Sequence, residues 1–88
     1  MNIYFSAIIT KEEKSGWVCV VWSGSKEILG TGRPVRVRGT LDKIPFEVTL
    51  MPFGNGDHFI PVKAEMRKIL KKGEGDAVEV AVLERVKG

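Results

Sequence analysis

FIPVKAEMRKILKKGEGDAVEVAVLERV, residues 59 to 86, changes its hydrophobic period partway along. Val62, Met66, Ile69 and Leu70 recur at the spacing of one helical face, whereas Val78, Val80, Val82 and Val86 fall at the spacing of one strand face. The stretch therefore reads as a helix over about 63–72 that hands the chain to a strand. Pro61 suits the helix start, although no Ser, Thr, Asp or Asn is there to cap it. Gly73 stands where a positive-φ residue would close the helix, and Lys71 and Lys72 favour the negative end of its dipole.

The same pattern occurs earlier in the chain. Ile28, Leu29 and Gly32 fall 41 residues before Ile69, Leu70 and Gly73. A V-x-V strand follows both, at Val35 and Val37 and at Val78 and Val80. The repeat implies two related halves, each strand, short helix, strand, around one pseudo-two-fold axis, with KEIL forming a helical turn at about 25–29.

The rest of the chain is mostly of period two. Ile3, Phe5, Ala7 and Ile9 mark a half-buried strand, and KEEKSG (11–16) is a polar turn. GWVCVVW (16–22) is apolar on both faces, as suits a strand covered from both sides. Val35, Val37 and Leu41 alternate with Arg36, Arg38 and Thr40. Phe46, Val48 and Leu50 then alternate with Glu47, Thr49 and Met51 beyond the tight connection DKIP (42–45). These two runs form a hairpin that sets Arg36 or Arg38 across from Glu47. PFGNGDHF (52–59) is loop chemistry, in which Gly54 and Gly56 can take positive φ, before a short strand at 58–60. The expected fold class is mainly β: a small barrel with one clear α-helix and one helical turn.

Eighty-eight residues make a single domain, 1–88, with one modest core. With 43% hydrophobic and 28% charged residues the chain folds rather than staying disordered. The net charge of +3 permits an anionic partner without requiring one. Cys19, the single cysteine, has no internal disulfide partner and reads as a buried small hydrophobe. MNIYFSAIIT (1–10) has no basic leader and is too short to span a bilayer, so the expectation is a cytoplasmic protein without membrane association.

The order Phe5-x-Ala7, Gly16-Trp17, Leu29-Gly30, Val37-x-Gly39-Thr40, Pro45-Phe46, Gly54-x-Gly56-x-His58, Ile60-Pro61-Val62, Arg67 and Gly75-Asp76-x-Val78 resembles the bacterial family called domain of unknown function 1905. The resemblance covers nearly the whole chain and implies a small double-split β-barrel with helical caps. The family often has Asp-Gly where this chain has Asp42-Lys43-Ile44, so the hairpin turn is expected to differ. A more distant likeness joins Ile60-Pro61, Arg67, Leu70, Gly75-Asp76 and Val78-Glu79-Val80 to the swapped-hairpin element of AbrB-like transcription regulators, which bind DNA with basic residues on a barrel built from two chains. Here both halves would lie in one chain, which implies a monomer.

Catalytic chemistry is poorly supplied. The only histidine, His58, lies beside Asp57, and Cys19 points to the core, so no nucleophile with an oriented base is legible. The acids read as solvated turns and strand faces. One His and one Cys cannot make a structural zinc site, and no cofactor is called for. GNGD (54–57) lacks the following helix of a phosphate-binding loop.

Two surfaces remain. Lys63, Arg67 and Lys71 fall on one helical stripe with Lys68 beside it, and Arg36 and Arg38 form a second cluster, together a candidate nucleic-acid site. Trp17 and Trp22 point to opposite faces of one strand, and a tryptophan at the barrel mouth beside Arg36 or Arg38, with His58 near, is a candidate ligand site. The expectation is a non-enzymatic binding module with an unidentified partner. The alternatives are nucleic-acid binding, and a small-ligand or accessory role for a larger enzyme system.

Overall fold

A computed structural model describes residues 1–52 and 56–86. The elements, in order, are β1 (Ile3–Ile8), β2 (Thr10–Lys11), β3 (Val18–Trp22), α1 (Ser25–Leu29), β4 (Val35–Leu41), β5 (Ile44–Pro52), β6 (His58–Pro61), α2 (Ala64–Leu70) and β7 (Ala77–Arg85). The strands form one antiparallel sheet in the order β1-β7-β4-β5-β6-β3-β2. The sheet curls until β1 returns to β3, where the rings of Phe5 and Trp22 stack with centroids 5.9 Å apart. Side chains thus close what backbone pairing leaves open.

The alternation read from the sequence sets the inside. Val35, Val37 and Leu41 of β4, Phe46 and Leu50 of β5, and Val78, Val80 and Val82 of β7 are buried together with Val20, Trp22 and Ile60. Burying each such side chain contributes about 1.5–3 kcal/mol. Both Cys19 and Val20 are fully buried, as the two-faced apolar run of β3 requires.

The pseudo-two-fold axis is visible in the registers. Val35 and Val78, Val37 and Val80, and Gly39 and Val82 are equivalents in the two halves, and Gly39 pairs directly with Val82. Val20 and Ile60, equivalents on β3 and β6, also pair with each other. The axis runs through both pairs, so β4·β7 and β6·β3 are self-paired and β1·β7 repeats as β5·β4. The β4·β7 ladder shifts register at Arg38/Gly39, and a Cβ on Gly39 would stand 1.9 Å from the Ala81 carbonyl oxygen. Only glycine fits that crossing.

The helices follow the repeat residue by residue. Leu29 and Leu70 are buried and plug the barrel ends, while Ile28 and Ile69 are exposed. This corrects the expectation that Ile69 faces the core: α2 is two turns long and turns only Met66 and Leu70 inward, with Val62 buried just ahead of it. Gly73 does not close the helix. The left-handed residues are Gly30 after α1 and Lys71 after α2, with φ of 74° and 56°, and Gly73 instead opens a turn in which its N–H donates to Asp76 Oδ2 at 2.8 Å. The β4–β5 turn takes positive φ at Asp42 (49°) and Lys43 (71°), the geometry of a two-residue type I′ hairpin. Asp42 holds it by accepting from the Glu79 N–H at 2.9 Å and from Lys72 Nζ at 2.6 Å.

Candidate functional site

His58 opens β6 and is fully buried, as is Ser25 at the start of α1. The His58 N–H donates to Ser25 Oγ at 2.6 Å, and the same hydroxyl lies 2.8 Å from His58 Nδ1. The Arg33 carbonyl, 2.7 Å from Nε2, can only accept, so Nε2 carries the ring proton and, in the neutral ring, Nδ1 accepts from the Ser25 hydroxyl. Every hydrogen-bonding valence of the ring is used to tie β6 to α1 and to the chain entering β4. A serine and histidine in contact resemble a catalytic dyad in composition only, because neither reaches solvent. Cys19 is equally enclosed, and burial pushes its thiol above the ordinary range. Among the described residues no three His, Cys, Asp or Glu side chains gather as metal ligands, and no helix is long and apolar enough to cross a membrane. Of the GNGD stretch, Gly54 and Asn55 lie outside the described residues, and Gly56 takes φ 94°.

The two tryptophans separate as their positions require. Trp22 is buried in the core, and Trp17 is 48% exposed just before β3. A short turn presents it. The Glu12 carboxylate accepts from the N–H of Ser15 at 2.5 Å and from its hydroxyl at 2.8 Å, which holds Glu12 below the usual carboxylate range. The Glu12 N–H in turn donates to the Trp17 carbonyl at 2.7 Å. Phe59 meets the Trp17 ring edge-on, centroids 6.0 Å apart.

Trp17 forms one wall of a cavity of about 550 Å³. Its apolar lining comes from Val18, Val48, Met51, Pro61 and Val62, and its cations are Arg36 from β4 with Lys63 and Arg67 from the start of α2. The volume and mixed lining are those of a small-ligand site. Two lines of expectation thus meet in one place, since the tryptophan and half of the basic residues share the cavity.

The cations differ in how far they are already satisfied. Arg36 donates from Nε to Glu47 Oε2 at 3.0 Å and from a terminal nitrogen to Thr49 Oγ1 at 3.1 Å, which fixes its guanidinium against the hairpin. Glu47 also takes the Arg38 Nε at 2.7 Å, and these two arginines, Arg38 foremost, hold its carboxyl below the usual range. Arg38 reaches Glu84 as well, at 3.4 Å, and lies outside the cavity. Lys63 and Arg67 make no ion pair among the described residues. Lys68 and Lys71 are exposed but do not line the cavity. The stripe expected through Lys71 breaks because the backbone turns left-handed at that residue.

The cavity owes its space to a difference between the halves. Phe5 faces Val80 across β1·β7 as Val48 faces Val37 across β5·β4, so Phe5 and Val48 are equivalents. Trp22 and Val62 each follow an axial residue, Val20 or Ile60, by two positions. In one half the stacked Phe5 and Trp22 fill the cleft beside α1, leaving a smaller cavity of about 390 Å³. In the other, two valines stand in those places and the cleft beside α2 is open. Glu47, Val48, Thr49 and Met51 escaped the sequence reading as site residues, although laying the first strand of each half side by side exposes the exchange of phenylalanine for valine.

One family, described as Domain of unknown function (DUF1905), matches the chain over residues 5–82. No curated protein matches it.

Proposed function

The chain belongs to the domain of unknown function 1905 family, and on that premise we propose, from the cleft beside α2, that it is a non-catalytic module binding a small amphipathic anion. The observation that carries this reading is the convergence of an exposed tryptophan and two cations without an ion pair among the described residues, Lys63 and Arg67, over an apolar floor. An apolar ligand body gains by leaving water against Val48, Met51 and Val62, while its charged end meets Lys63 and Arg67, which have no carboxylate partner among the described residues. The enclosure of Ser25, His58 and Cys19 supports a binding role over a catalytic one.

Nucleic-acid binding is the weaker reading. Glu47 on β5 and Glu84 on β7 flank Arg38 from both neighbouring strands, so a phosphate backbone reaching the β4 arginines would meet acids there. The test is a two-dimensional NMR titration of labelled protein with phenyl phosphate and benzoate, and separately with a mixed-sequence DNA duplex. Shifts centred on the Trp17 indole, Arg36, Val48 and Arg67 with the small anions support the reading. Silence there, with duplex-induced shifts at Lys68 and Lys71 that fade as salt rises, overturns it.

A further inference from the structure

We infer that the cleft beside α2 selects a dianion carried on a planar ring, a phosphomonoester of an aromatic or heteroaromatic body. This rests on the reading of the cleft as a small-anion site and adds the charge and shape of its occupant.

The charge follows from the lining. Arg36, Lys63 and Arg67 are three cations against the single carboxylate of Glu47, which leaves two positive charges uncompensated. Glu47 neutralises Arg36 only in part, because its two oxygens are divided between Arg36 and Arg38. One negative charge would leave the second cation of α2 without a partner in a partly apolar cleft. A phosphomonoester supplies two charges and three acceptor oxygens at one end, enough to meet Lys63, Arg67 and the remaining N–H groups of Arg36 together.

The shape follows from Trp17. Phe59 meets its ring edge-on, an arrangement that leaves an indole face for an offset-stacked guest. Val48 and Val62 on the floor, where the other half carries rings of its own, leave space for a flat body opposite that face. The ligand ring would restore in this half the aromatic packing that Phe5 and Trp22 provide in the other.

The experiment is a calorimetric and NMR titration of the full chain with phenyl phosphate, phenyl sulfate and benzoate at pH 5.0 and 7.5. The groups facing the ligand are Arg36 from β4, Glu47 from β5, and Lys63 and Arg67 from α2. Glu47 is held below the usual carboxylate range and stays ionised across this interval, so the second ionisation of the monoester, near pH 6, dominates the change. Phenyl phosphate should bind about tenfold tighter at pH 7.5 than at 5.0, while phenyl sulfate, a fixed monoanion, should not change. Arg67→Gln should weaken both anions but phenyl phosphate the more, bringing its affinity at pH 7.5 down to that of phenyl sulfate. Phenyl phosphate binding no tighter than phenyl sulfate at pH 7.5, or without pH dependence, overturns the dianion inference and leaves the small-anion reading standing. Failure of all three probes to shift Trp17 overturns both. A single-stranded oligothymidylate without a terminal phosphate that binds more tightly than phenyl phosphate overturns the monoester in favour of a strand of singly charged diesters.

Discussion

Phe5 and Val48 hold equivalent places in the two halves of the barrel, and the smaller of them opens the cleft. The relationship makes the site a matter of volume before it is one of charge. Val48→Phe should therefore fill the cleft without reaching into the close-packed core. We expect thermal unfolding within a few degrees of the parent and loss of the NMR response to phenyl phosphate. An unchanged response would place the ligand elsewhere on the surface.

Gly39 is the position with least tolerance. Its missing Cβ would lie 1.9 Å from the Ala81 carbonyl oxygen, and the obstacle is backbone, which cannot swing aside. Gly39→Ala should cost more than about 4 kcal/mol, enough to unfold a domain of ordinary stability. Circular dichroism of the purified variant is the check, and a cooperative melt near the parent's would contradict the crossing described here.

Ser25 bears on stability through His58. Ser25→Ala removes the acceptor of the His58 N–H and the donor to its Nδ1, leaving two buried polar groups unmatched. Each such group costs about 1–3 kcal/mol. Urea unfolding should show a midpoint lowered accordingly with little change in slope.

Acid should weaken the fold through Asp42. The Glu79 N–H and then Lys72 hold its carboxyl below the ordinary aspartate range. A depressed folded-state value means stabilisation that is complete above the unfolded-state value, about pH 4, and is lost as pH falls through the folded one. Urea midpoints measured between pH 6 and pH 2.5 should therefore fall below about pH 4, and Asp42→Asn should flatten part of that fall while lowering stability at pH 6. If the variant and the parent lose stability in parallel on acidification, Asp42 is not a source of the acid sensitivity.

Much of this architecture is written in periodicity. The inward faces of β1, β4, β5 and β7, the helical turn at 25–29 and the approach of Arg36 and Arg38 to Glu47 all follow from local alternation and turn chemistry. The repeat around Ile28-Leu29 and Ile69-Leu70 correctly joins the two helices, yet periodicity misassigns Ile69. A two-turn helix perched on a barrel end buries a narrower face than the i, i+4, i+7 rule assumes. Closure of α2 falls to Lys71, one residue past the buried Leu70 as Gly30 is one past Leu29, and not to Gly73.

The cleft was legible only in fragments. Trp17, Arg36, Lys63 and Arg67 each stood out by residue type, but their meeting depends on the β5·β6 pairing and on the path of α2, which are long-range facts. The apolar floor gave no local sign, since Val48 and Val62 look like any other core valines until compared with Phe5 and Trp22.

The pairing of Gly39 with Val82 on the axis has a consequence for the history such a fold permits. Two identical subunits wrapped into this shape would be bound to carry the same residue on both sides of the crossing and to keep both clefts alike. A chain that holds both halves is free of that obligation. It can set a glycine against a valine where the strands cross, and give one cleft to the stability of the barrel while the other is left to chemistry.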